Sequence, residues 1–321
     1  MRALVSDRIG YFGKVPARSD FVKVSHDIPV MGMLDDWLAQ VMTRLPSDAR
    51  WKINYDAMAP VSFAFVGPSR RYAVAGHLVA SRDQAGRRFP FLMMRMLDVA
   101  DPAAFVSRCP LAFDPLWSFL ESMAPKVLAV GDPAPHLQAI SDATIALGPC
   151  DAALAGFLAS GTVSSLGTML GDDQANRLIL AIGLLLQPVM HSKPSQLHKS
   201  LLLPLPEEVT ARCQVASFWL ELVTPFLRRA DFDLALFVTR QEGKPVLVIG
   251  FCGAVAETLR AIIDPLVGLE QQVRVADTGW IDEQLGIDID VRALASYLDQ
   301  PQLPLKLARE LFLKTFIGAA S

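Results

Sequence analysis

The sequence predicts an α+β fold built as two small sheet-and-helix domains, the first an antiparallel sheet with flanking helices. Three observations predict it. Residues 60–66 and 72–81 alternate with period two and are joined by the breakers Gly67, Pro68 and Ser69, the pattern of a hairpin. A second series of helix, hairpin and helix recurs at 209–263, so sheet and helix signals appear in both halves of the chain. Finally, 321 residues exceed one ordinary core when domains run about 100–200 residues. The expected division is 1–170 and 171–321, with a hinge at 161–173, where Gly, Ser and Thr gather; the breakers at 187–195 are the competing boundary.

Taken in order, residues 9–15 read as a strand that Pro16 turns aside. Residues 29–45 read as a helix, with Val30, Leu34, Trp37, Leu38, Val41 and Leu45 on one face, Asp35 and Asp36 in its first turn and Arg44 in its last. In the hairpin, Val61, Phe63 and Phe65 share one face, as do Val74, Gly76 and Leu78. A charged loop at 82–88 precedes a further strand at 89–97. From 102 to 170 the pattern is helical, and Pro110, Pro115, Pro125, Pro133, Pro135 and Pro149 predict several short helices. Residues 178–189 form an apolar run, broken by Gln187 and Pro188, that reads as a buried helix too short to span a bilayer needing about 20 residues. Residues 209–227 are apolar over much more than a seam and predict a central helix. Strands at 231–240 and 244–251, a helix at 254–263 and short helices near 282–285, 291–297 and 305–316 complete the chain.

Composition narrows the function classes. Half of the chain is hydrophobic and only 20% is charged, against ~25% in an average globular domain, so much surface must be covered by its own elements or by a partner. A net charge of −3 supplies no attraction for nucleic acid or an anionic membrane, and neither nucleic-acid binding nor membrane insertion is expected. The N-terminus reaches charged residues before an apolar stretch can develop, which argues against a signal peptide. Cys109, Cys150, Cys213 and Cys252 form no CxxC pair and read as buried thiols in a reducing, cytoplasmic compartment.

The catalytic and metal motifs fail on spacing. Gly10 to Lys14 is too short for a phosphate loop, and Val15 stands where its Ser or Thr would be. There is no Gly-x-Ser-x-Gly elbow and no His-Glu-x-x-His helix. His191 and His198 lie seven positions apart across Lys193 and Pro194, off zinc spacing, and His26 and His77 are isolated; His77 reads as a half-exposed strand residue. No metal and no cofactor is expected.

What remains is a motif. Residues 10–21 combine a short apolar strand with Gly13, Lys14, Pro16, Arg18, Asp20 and Phe21, and a second cluster holds Asp83, Gly86, Arg87, Phe89 and Pro90. A core strand would not carry Arg18 and Asp20 unpaired, so these residues belong to a site or a special turn. Opposite charges on the two clusters predict that they lie side by side, Arg18 and Asp20 pairing with Asp83 and Arg87. Such a network serves equally as a docking surface or small anionic site and as a structural tie. The ordinary role for Trp37 is a core anchor.

Gly13-Lys14-x-Pro16-x-Arg18-x-Asp20-Phe21 resembles the signature that opens the TagF (ImpM) family of type VI secretion accessory proteins, and Asp36-Trp37-Leu38 and Asp83-x-x-Gly86-Arg87-x-Phe89-Pro90 follow in the family's order. Ser19 stands where relatives usually have glycine. The resemblance implies a cytosolic, non-catalytic regulator that represses type VI secretion after translation, through protein binding. Its implied partner is the forkhead-associated scaffold protein of that system. The absence of any Asp-Gly dipeptide weighs against the phosphatase module fused to some relatives. The alternative from the residues themselves is an enzyme or ligand-binding module that uses Arg18, Asp20, Asp83 and Arg87 on a small anion.

Overall fold

The computed structural model describes residues 7–190, 197–227, 232–275 and 278–318. The chain opens with strands β1 (Gly10–Gly13) and β2 (Val22–Val24), followed by helices α1 (Ile28–Arg44) and α2 (Trp51–Ala57). Strands β3 (Val61–Val66), β4 (Tyr72–Val79) and β5 (Phe91–Asp98) form a meander. Five helices follow: α3 (Pro102–Ala129), α4 (Ala134–Asp142), α5 (Cys150–Ser160), α6 (Val163–Leu170) and α7 (Ala175–Leu186). Then come β6 (Ser200–Pro204), α8 (Val209–Leu227) and the hairpin β7 (Leu234–Gln241) and β8 (Lys244–Gly250). The remainder is α9 (Ala256–Ile263), α10 (Pro265–Gln271), β9 (Gln272–Arg274), α11 (Ile281–Ile287), α12 (Ile289–Leu298) and α13 (Leu305–Phe316).

The fold is α+β, but the two expected sheets are one. All nine described strands join in the order β2-β1-β5-β4-β3-β7-β8-β6-β9, every pair antiparallel except β6 with β9. The seam is β3 against β7, with Phe63 opposite Phe237. Fusing the edges satisfies both rows of backbone groups, which two separate sheets would leave open. Helices cover both faces. On one face α1, α2 and α9 bury Trp37, Tyr55 and Leu259 against Phe63, Phe65 and Phe237. On the other, α3, α8 and the remaining large helices pack on Ala64, Leu236 and Ile249.

Three helix expectations need correction. The α1 cap is Asp27, whose carboxylate accepts from the Val30 N–H, so Asp35 and Asp36 lie mid-helix rather than in its first turn. Residues 102–129 are one continuous helix through Pro110, Pro115 and Pro125, where the prolines had predicted breaks. A proline in a helix interior costs about 3 kcal/mol. Val106, Phe113, Leu116, Trp117, Leu120, Met123 and Val127 of α3 are all buried, and burial of each contributes about 1.5–3 kcal/mol, enough to offset that cost. The stretch expected as a hinge holds α6, begun by a Thr162–Ser165 capping box and ended by Gly171 in the left-handed region. The expected helix at 209–227 matches α8, and the 241–243 turn uses Glu242 and Gly243 at positive φ, as a two-residue hairpin requires. Cys252 is exposed and Cys150 half-buried, so only Cys109 and Cys213 are the buried thiols expected.

Candidate functional site

The two motif clusters meet beside the β1 end of the sheet. Gly13 ends β1 opposite Phe91 with φ of +136°, a region side chains avoid. A β-carbon there would stand 2.7 Å from Phe91 Cα and collide with the Pro90 carbonyl, so Gly13 and Pro90 are one packing requirement read at two places in the sequence. Pro16 then occupies the first central position of a turn in which the Arg18 N–H donates to the Val15 carbonyl at 3.1 Å, a place its fixed φ suits. The facing loop turns through Gly86, at φ +78°, whose N–H donates to the Asp83 carbonyl at 2.9 Å.

The loops lie side by side. Backbone N–H of Gln84 donates to the Arg18 carbonyl at 2.9 Å, Arg87 Nη2 to the Ser19 carbonyl at 2.8 Å, and Ser81 Oγ to the Lys14 carbonyl at 2.6 Å. Asp83 is the node. Its Oδ1 accepts the N–H groups of Ala85 and Arg87 at 3.0 and 2.9 Å; its Oδ2 accepts Lys14 Nζ at 2.9 Å and Arg87 Nε at 2.6 Å. Burial by itself would raise the Asp83 carboxyl pKa. The hydrogen bonds from Lys14 and from the backbone and guanidinium of Arg87 outweigh that and hold it well below the usual carboxylate range.

The pairing differs from the expected one. Lys14, not Arg18, is the cation that Asp83 takes from the first loop; Arg18 reaches Asp132 beyond α3 at 2.7 Å, and Asp20 accepts from the Phe21 N–H at 2.8 Å. Arg88 turns to Asp56 of α2, bonding through Nε and Nη2 at 2.8 and 2.5 Å, and the Asp56 carboxyl is lowered by that bond. The motif charges therefore diverge to separate partners and do not converge on one anion-sized point. The reason is reach: Lys14 leaves a buried backbone directly beneath Asp83, while Arg18 follows a turn that aims it outward.

An aromatic group seals the tie. Phe21 stacks on Phe12 with centroids 5.1 Å apart and meets Phe89 edge-on at 4.9 Å, while Lys14 Nζ lies 5.1 Å from the Phe21 ring centre. Phe21 is nonetheless 42% exposed, and Arg87 is open to solvent beside it. Trp37 sits away from this group, buried in the core, its Nε1 donating to the Val255 carbonyl at 3.3 Å. Sequence reasoning missed Tyr55, whose hydroxyl donates to the Ser81 carbonyl and accepts from its N–H, both at 3.0 Å, and also Ser81, Asp56 and Asp132. Tyr55, Asp56 and Asp132 lie far from the motif in the chain and carry no local signal.

His77 is not half-exposed but buried. Its Nδ1 lies 3.0 Å from Ser62 Oγ, Nε2 has no partner, and burial lowers its pKa to about 4. His191 lies outside the described residues. Among the described residues no cluster of three metal-binding side chains occurs, and no helix is long and apolar enough to cross a membrane.

Residues 10–143 match the family model of the TagF N-terminal domain, type VI secretion system-associated. A solved structure, that of PA0076 from Pseudomonas aeruginosa PAO1, is similar at 26% identity over 42% of this chain, with a TM-score of 0.36. The match spans 61% of that protein's chain. No curated protein matches this chain.

Proposed function

We propose, from the match of residues 10–143 to the TagF N-terminal domain, which is type VI secretion system-associated, that the chain is a cytosolic, non-catalytic regulator that represses the secretion system by binding a protein partner. The partner we propose, from the family resemblance, is the system's forkhead-associated scaffold protein. The observation that carries the binding reading is the closed tie at Asp83. It spends the buried charges of the motif internally and holds Phe21 and Arg87 outward on a fixed frame, an aromatic and an arginine of the kind that anchor protein interfaces.

Dosage tests repression. A stoichiometric binder silences an active system when overproduced and raises basal firing when deleted, whereas a catalyst would act at trace amounts. Arg87→Ala tests the surface. Lys14 and two backbone N–H donors still face Asp83 in that variant, so the protein should stay folded, with its melting temperature changed little, while binding to the purified scaffold falls at least tenfold. A folded Arg87→Ala protein that binds and represses normally would leave the loops as a structural tie and sink the docking assignment.

A further inference from the structure

A second buried carboxylate stands on the opposite face of the sheet, in the wall of a cavity of about 570 Å³. The cavity lies between the first turns of α3, the last turns of α8 and α13. Val106, Pro225, Leu227 and Leu234 give it apolar walls. Its polar wall is a continuous chain of side chains. Ser107 Oγ donates to Glu221 Oε1 at 2.5 Å, Arg309 Nε lies 2.6 Å from Glu221 Oε2, and Arg108, paired with Asp151, brings Nη1 to 3.5 Å from Ser107 Oγ. The volume is within the range of about 300–1,000 Å³ of small-molecule sites, and mostly apolar walls with a few converging polar groups are their usual makeup.

The open valences set the ligand's charge. Both oxygens of Glu221 are engaged, and Asp101 at the rim accepts from its own helix through the Ala104 N–H. The guanidinium groups are not used up. Arg309 lies against Glu221 as an ion pair at Nε, off hydrogen-bond geometry, and neither of its Nη nitrogens has a hydrogen bond among the described residues; Arg108 uses Nε and Nη1 and leaves Nη2. Arg309 so placed keeps its terminal Nη edge free, the edge that binds a carboxylate with two parallel N–H bonds, and Arg108 adds a single N–H at Nη2. We propose that this cavity is a binding site for a small organic carboxylate with an apolar body, its carboxylate on Arg309 and Arg108 and its body against Val106, Pro225 and Leu234.

The probe is 2-naphthoate, titrated into the full chain by calorimetry with 2-naphthamide as the uncharged contrast. We expect one-to-one binding of the carboxylate with Kd of about 1 mM or tighter, and at least tenfold weaker binding of the amide. Two variants locate the site. Arg309→Gln removes the anion's partner, and Ala104→Phe fills the cavity while leaving every charge in place; each should weaken binding at least tenfold. Should Arg309→Gln fail to fold, Ala104→Phe decides alone. The proposal is overturned if the wild type does not bind 2-naphthoate at that concentration, if the amide binds as well, or if Ala104→Phe binds it unchanged.

Discussion

Asp83 and Glu221 are both buried carboxylates that meet an arginine, and they differ in what is left over. Around Asp83, Lys14, Arg87 and two backbone N–H groups fill the coordination, and the surrounding rings shut out water. Glu221 has one hydroxyl and one side of a guanidinium, with a cavity beyond. Burial of a charge therefore does not itself announce a site. A fully satisfied carboxylate fixes loops, and a carboxylate that half-uses its arginine leaves binding capacity behind.

The closed side should be the more fragile to substitution. Gly13→Ala must move Pro90 and Phe91 and also strain a positive φ, so it should destabilise by about 4 kcal/mol or more, seen as a lowered denaturation midpoint. Asp83→Asn should also lower the midpoint strongly, because Lys14 keeps its charge in a buried place without its carboxylate. If either variant melts like the wild type, the loops do not depend on the tie.

Acid separates a second buried group from the tie. His77 has its folded pKa lowered to about 4 from an unfolded value near 6.5, so the neutral form is favoured in the fold and stability falls as pH drops from about 6.5 to 4. The loss should approach about 3 kcal/mol, measured as the difference in denaturation free energy between wild type and His77→Gln at pH 7 and pH 4. Asp83 also has a lowered folded pKa, and its contribution is present above the unfolded carboxylate value and lost only as pH falls below about 4, towards its folded pKa. Two windows should therefore appear, the first absent in His77→Gln. A wild-type curve flat between pH 7 and 4.5 would contradict the burial of His77.

How much of this the sequence could tell depends on how local each cause is. The hairpins, α8 and the proximity of the two motif clusters were legible because period-two alternation, a broad apolar stripe and opposite charges are written in short stretches. The join of β3 to β7 was not, since both strands are buried on both faces over most of their length and nothing in either names its neighbour. The length of α3 misled because proline has a strong local signal, and the packing that overrode it comes from β4 and α8. At the site, Gly13, Pro16 and Gly86 could be read as backbone requirements, whereas Lys14 rather than Arg18 as the partner of Asp83 followed from the turn's direction. Glu221 sat inside an apolar helix pattern and was passed over; a lone acid on a face otherwise buried was its available signal.

Glu221 offers a gentler test than Asp83. Glu221→Gln keeps the size of the side chain and can still hydrogen-bond Ser107, while Arg309 remains partly in solvent, so folding stability should change by only about 1 kcal/mol. Removing the negative charge also removes what competes with an anion for Arg309. At a separation of several ångströms in a partly wet cavity that repulsion is about 1 kcal/mol, so 2-naphthoate should bind roughly five- to tenfold more tightly to the variant. The same substitution at the closed tie should instead cost stability, because it leaves the buried Lys14 without its carboxylate. If Glu221→Gln instead unfolds the protein as readily as Asp83→Asn, Glu221 is a helix tie like its counterpart and the contrast between the two carboxylates disappears.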